Sequence, residues 1–171
     1  MAEPLRIIGE TTEPQQSWEH FLKRRSALEA EMFLEVCNGC DHCGTRCLAG
    51  FGVTRPEWEV VQAFLAGQAA PELERIEAQE KELPWPGAEE LDARVRYCRF
   101  RDMEKNRCSV YPVRPTICRL FGHTEWLPCP IEAVPSYPDG AAALWNAYRT
   151  EKRKTWEGWQ EEENNASMSN A

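Results

Sequence analysis

Four thiols within eleven residues, Cys37-Asn38-Gly39-Cys40-Asp41-His42-Cys43-Gly44-Thr45-Arg46-Cys47, constrain this chain more than any other feature of its sequence. The other four cysteines, Cys98, Cys108, Cys118 and Cys129, all lie in one later segment. The chain therefore carries two half-sets of sulfur ligands, and folding has to bring sulfur to a metal. Cytosolic thiols are kept reduced, so dense cysteine there favours metal ligation or redox chemistry over a disulfide framework. A cytoplasmic location is expected, because the N-terminal stretch lacks an apolar signal segment and no apolar run is long enough to span a bilayer.

The spacing Cys37-x2-Cys40-x2-Cys43-x3-Cys47 is that of a bacterial ferredoxin run, in which three close thiolates hold one iron–sulfur cluster and the fourth ligates elsewhere. Leu48 stands where that run has proline, and Cys129-Pro130 is a remote Cys-Pro of the kind that completes such a site. The second set, Cys98-x9-Cys108-x9-Cys118-x10-Cys129, is too widely spaced to form a site locally, so its metal binding is coupled to folding. Eight thiols make two four-sulfur sites, or one such site and four reduced cysteines. Charge leaves iron and zinc both open, since a tetrathiolate zinc and an oxidised four-iron cluster each carry about two negative charges.

Net charge and its distribution narrow the partners. At a formal net charge of -8 the chain lacks the excess of bases that holds a phosphate backbone, so nucleic acid is not expected as a partner, and without a long apolar run neither is a membrane. From Pro71 to Asp92 eight acids face two bases, whereas from Arg94 to Arg119 eight bases face Asp102 and Glu104. This basic block coincides with the second cysteine set, where guanidinium groups would offset thiolate charge, or it is a solvated hairpin face.

Catalytic readings of the cysteines are weaker. A thioredoxin-like Cys-x-x-Cys needs a βαβ pattern, and the flanks here have helical periodicity. The cysteine order of radical enzymes is reversed. A nucleophilic cysteine needs a base, and only His20, His42 and His123 are available. His42 reads as a substitute ligand or as a support to the ligands. Two closed sites would leave no open coordination position, so no catalytic residue is assigned.

Local patterning predicts a fold that is mainly α with a short β-hairpin, a small single-domain metalloprotein with irregular cysteine-bearing loops. Residues 1–16 read as irregular, 17–161 as the metal-binding domain and 162–171 as a disordered tail. A helix is expected from Ser17 to Val36, stopped by Asn38-Gly39. Thr54-Arg55-Pro56-Glu57 has capping-box spacing and opens a second helix that Gly67 ends. Pro71 opens an acidic helix over Glu72 to Leu83, broken by Pro84-Trp85-Pro86-Gly87. Val95 and Tyr97 with Cys108 and Val110 flank the hairpin turn Asp102–Arg107, Thr116 to Phe121 forms a helical turn bearing Cys118, and Ala141 to about Glu161 forms the last helix.

The run Cys108-Ser109-Val110-Tyr111-Pro112-Val113-Arg114-Pro115-Thr116-Ile117-Cys118-Arg119 resembles the signature Cys-Ser-Ile-Tyr-x-x-Arg-Pro-x-x-Cys-Arg of the YkgJ, or CxxCxxCC, cysteine-cluster family. With Cys98 before it and Cys129 after it, the resemblance covers residues 37–130. The first set departs from the family pattern, which would place cysteines at 40, 43, 46 and 47: position 46 is arginine, and Cys37 restores a fourth thiol. The resemblance implies an iron- or zinc-chelating domain. A related domain is fused to flagellin lysine N-methylases, but no Gly-rich methyl-donor loop occurs here. Arg114-Pro115 would fix the turn before Cys118, and Arg114 is a candidate contact to a thiolate or sulfide.

The leading expectation is an iron–sulfur protein, with a 4Fe-4S cluster held by Cys37, Cys40, Cys43, Cys47, Cys98, Cys108, Cys118 and Cys129, serving electron transfer or the maturation of a protein partner. The alternative is a structural zinc module that docks a partner through Trp145, Trp156 and Trp159, unless those tryptophans are core.

Overall fold

The computed structural model describes residues 36–37, 40, 42–135 and 138–169, together with Lys23. Apart from Lys23 and Val36, the helix expected over residues 17–36 lies outside the described residues, as does the segment 1–16.

Helix α1, Arg55–Ala66, starts where the capping box predicts. The Glu57 carboxylate accepts from the Thr54 N–H and hydroxyl at 3.0 Å each, and Pro56 occupies the first turn, where a missing N–H costs nothing. Gly67 closes it, its N–H donating to the Phe64 carbonyl at 3.1 Å. Trp58 and Val61 of this helix pack with Val53, Val110, Trp156 and Trp159 into one hydrophobic cluster.

Helix α2, Ala70–Glu77, is shorter than expected. The second half of the acidic stretch is strand β2, Glu82–Pro84, which pairs antiparallel with β3, Arg94–Arg96, setting Leu83 opposite Val95. Pairing with a partner strand here overrides the local helical pattern. The predicted hairpin exists but is smaller: β4, Arg101–Asp102, pairs with β5, Arg107–Cys108, while Val95 belongs to the other ladder. Asp102 Oδ1 shapes its turn by accepting from the Glu104 and Lys105 N–H groups at 3.1 Å.

Helix α3, Thr116–Arg119, is the expected turn bearing Cys118. Two further pairs follow, β6, His123–Thr124, with β7, Leu127–Pro128, and β1, Val53–Thr54, with β8, Arg153–Lys154. The expected final helix is two: α4, Pro138–Tyr148, and α5, Trp156–Ser169. Between them the Thr150 hydroxyl donates to the Ala147 carbonyl at 2.7 Å, β8 joins β1, and the Thr155 hydroxyl accepts the Gly158 N–H at 3.2 Å. Helix α5 runs on to Ser169, through residues whose composition suggests a disordered tail.

The expectation of a mainly α fold with a single hairpin is therefore corrected. Among the described residues, five α-helices alternate with four two-stranded antiparallel sheets. Very short strands are formed by pairing across the chain, which helical periodicity does not reveal. Trp156 and Trp159 are core rather than a docking face, and the Trp159 indole N–H donates to the Val53 carbonyl at 2.8 Å. Ile117, Leu120, Ala141, Leu144 and Tyr148 form a second cluster. Among the described residues no helix is long and apolar enough to cross a membrane.

Candidate metal centre

The eight cysteines are all unpaired thiols, and the fold sorts them into two groups of four. The first group begins with an isolated antiparallel bridge between Leu48 and Tyr97, which sets Cys47 beside Cys98. The Cys98 N–H donates to the Cys47 carbonyl at 2.8 Å, and the two thiols hydrogen-bond each other. Cys108 comes from β5, opposite Arg101, and Cys118 from α3. That short helix is fixed by Pro115 and by the Thr116 N–H, which donates to Glu57 Oε1 at 2.7 Å.

Electrostatics ties these four together. The Cys47 thiol donates to Cys98 and, with the Phe100 N–H, Lys81 and Arg99, outweighs burial to bring Cys98 down to about 7. Cys47, as the donor, is raised by that bond, by burial and by the charges of Cys98, Cys108 and Cys118. Burial first and Cys98 second push Cys108 up to about 11, and burial followed by Cys98, Cys108 and Glu57 pushes Cys118 well above the ordinary thiol range. Four crowded sulfurs that resist joint ionisation are what a bound cation relieves, because a coordinated thiol loses its proton.

The second group is Cys37, Cys40, Cys43 and Cys129. Burial raises Cys37 and Cys43, and each also feels Cys40 and Cys129; Arg114 opposes the shift at Cys37 and Arg46 at Cys43. Cys129 goes the other way. Burial disfavours its thiolate, but the backbone N–H groups of Ile131, Ala133, Val134 and Glu132 outweigh that and lower it. Successive N–H groups aimed at one anion make a nest, and Glu132 closes this one with a left-handed φ of 54°. The Arg46 guanidinium donates to the Pro128 carbonyl, tying the Cys129 segment to the first loop, and the Tyr111 hydroxyl donates to the Cys37 carbonyl.

A shared local device recurs across both groups. Cys98, Cys108 and Cys129 each take an N–H from the residue two places on: Phe100, Val110 and Ile131. Such donors favour the thiolate and orient the sulfur. Gly44 lets the first loop lie against the β4–β5 turn, since a Cβ there would fall 2.7 Å from the Asn106 carbonyl oxygen.

Seven of the cysteines, Cys129 excepted, line one cavity of about 760 Å³, whose walls also carry Lys81, Arg99, Arg107 and Arg114. Reduced thiols in fours, N–H donors to sulfur and cationic walls suit a soft, thiophilic metal, so the residues present fit one. Among the described residues no three Cys, His, Asp or Glu side chains are drawn together as tightly as a metal's coordination shell; the groups are clusters of neighbours. His42 is exposed in a 3₁₀ turn, His42–Arg46, and is not among the cavity-lining residues, while His123 is fully buried and His20 lies outside the described residues. Arg114 lies where the signature suggests, in the cavity wall, its guanidinium 4.1 Å over the Tyr111 ring.

Two contributors escape a reading of the sequence. Lys81 sits in the acidic stretch, yet pairing of β2 with β3 turns it toward Cys98, and its ammonium donates to the Arg101 carbonyl. Glu57 reads only as a helix cap, although Thr-x-x-Glu was the one available signal that it is fixed in place.

Residues 37–159 match the family model described as "CxxCxxCC: Putative zinc- or iron-chelating domain". The chain belongs to this family. No curated protein and no solved structure matches it. The CxxCxxCC match extends past the stretch suggested by the cysteine signature and takes in α4, β8 and the start of α5, so the C-terminal core is part of the domain. Within the family pattern Arg46 stands in place of a cysteine; its guanidinium donates to the Pro128 carbonyl, and Cys37 feels the charges of Cys40 and Cys129.

Proposed function

We propose that this zinc- or iron-chelating domain carries two iron–sulfur centres, one on Cys37, Cys40, Cys43 and Cys129 and the other on Cys47, Cys98, Cys108 and Cys118, and serves electron transfer or the maturation of a partner enzyme. One observation carries the reading. Within the Cys37–Cys47 run, Cys43 feels the charges of Cys129, Cys37 and Cys40, whereas Cys47 bonds Cys98 and feels Cys108 and Cys118, which supports a three-to-one division completed by the remote Cys129-Pro130. Bacterial ferredoxin runs divide in this way between two clusters.

Such clusters, when bound, supply one-electron chemistry over a wide range of potentials. The chain's own residues then have defined tasks. The N–H donors at Phe100, Val110 and Ile131–Val134 favour the thiolate form and draw charge from the sulfurs, and Lys81, Arg99 and Arg114 offset the remaining negative charge. Both effects stabilise a reduced, more negative centre. The test is a reductive titration of protein purified without oxygen: a brown protein whose visible absorption bleaches with dithionite and returns in air-free oxidant supports the proposal. A colourless protein holding one or two zinc ions contradicts it.

A further inference from the structure

The two thiol groups differ in what holds them. Cys47, Cys98, Cys108 and Cys118 come from four separate places in the chain, and the hydrogen-bonded frame fixes them: the Cys47–Cys98 backbone bond, the β4–β5 ladder and the Glu57–Thr116 bond. Cys118 packs against the cluster around Leu120 and Leu144, and Cys108 against the cluster around Trp58 and Trp156. All eight cysteines are half-buried, but the other group is bordered by exposed residues and has no such frame around it. Cys37, Cys40 and Cys43 share one short loop in which neighbouring Val36 is 50 % exposed and His42 is exposed, and residues 130–133 after Cys129 are all exposed.

We infer that Cys37, Cys40, Cys43 and Cys129 form an exchangeable metal site accessible to solvent-borne thiols, whereas Cys47, Cys98, Cys108 and Cys118 form a permanent site that folds with the core. This rests on the reading of two four-thiol centres but not on which metal fills them. Exchange is ligand substitution: an incoming thiolate takes the place of one cysteine sulfur, the displaced sulfur takes up a proton from water, and no electron moves. A loop without such a frame opens at little cost, while freeing Cys108 or Cys118 requires the core to open.

The experiment uses the metal-loaded full chain, held without oxygen in excess reduced glutathione with EDTA as the final acceptor, with released metal followed over time. Two phases are expected, about half of the bound metal leaving in the fast one. The Cys43→Ser variant should lack the fast phase, keep the slow one and retain its far-ultraviolet circular dichroism. Release in a single phase overturns the inference. So does a Cys43→Ser protein that keeps its full metal content, or one that loses all metal together with its helical signal. Elemental analysis of the same sample reads the metal's identity separately, so finding zinc would defeat the iron–sulfur proposal without deciding this one.

Discussion

Glu57 Oε1 accepts the Thr116 N–H at 2.7 Å across 59 positions of sequence, so the carboxylate that caps α1 also fixes the turn carrying Cys118. Its other oxygen takes the Thr54 N–H and hydroxyl at 3.0 Å and the Tyr148 hydroxyl at 2.7 Å, joining α1, α3 and α4 at one buried point. Tyr148 is raised in turn, by burial first and then by the Glu57 charge.

Glu57→Gln keeps the shape but turns one acceptor into a donor that faces donors. Leaving buried groups unpaired costs about 1–3 kcal/mol. Urea unfolding of the metal-loaded chain should show a lower midpoint at unchanged slope. An unshifted midpoint would mean that these bonds do not hold α3 in place.

Gly44→Ala tests the approach of the cysteine loop to the β4–β5 turn. The new Cβ would meet backbone, the Asn106 carbonyl at 2.7 Å, which cannot swing aside as a side-chain end could. Overpacking of this kind costs about 1–3 kcal/mol. Metal bound per chain should fall, and thermal unfolding should come at a lower temperature; wild-type values for both would show the contact to be dispensable.

Asp102 supplies a pH dependence. Burial disfavours its carboxylate, but hydrogen bonds from Arg75, from Gln79 at 3.1 Å and from the Lys105 N–H outweigh this and hold the carboxyl well below its usual range. A depressed folded pKa gives stability that is present above the unfolded carboxyl value of about 3.9 and is lost as pH falls below it. The stability difference between wild type and Asp102→Asn should therefore be largest near neutrality and shrink below about pH 4. A difference that stays constant from pH 7 to about pH 3 would exclude an ionised Asp102 as its source.

Sequence and structure agree where local chemistry decides. The Thr54–Glu57 cap, the Gly67 stop, the Asp102–Arg107 turn and the Pro115 start of α3 are short-range devices, and each is found where it was read. How the eight cysteines divide stays open from sequence alone, because the widely spaced second set has no local geometry to read. What was not legible depends on long-range pairing. Helical periodicity puts Leu83 on a helix, yet it joins Val95 in a strand; the same pattern puts Trp156 on the helix of Leu144, yet β8 intervenes to reach Val53. Strands of two or three residues have no periodicity to detect, and it is such strands that bring Lys81 and Cys98 to the site.

The central claim is tested most directly by counting iron, acid-labile sulfide and zinc per chain in protein purified without oxygen. Two four-iron centres predict about eight iron and eight sulfide, with a brown colour. Zinc without sulfide, in a colourless protein, would contradict the account and make the thiol groups structural zinc sites.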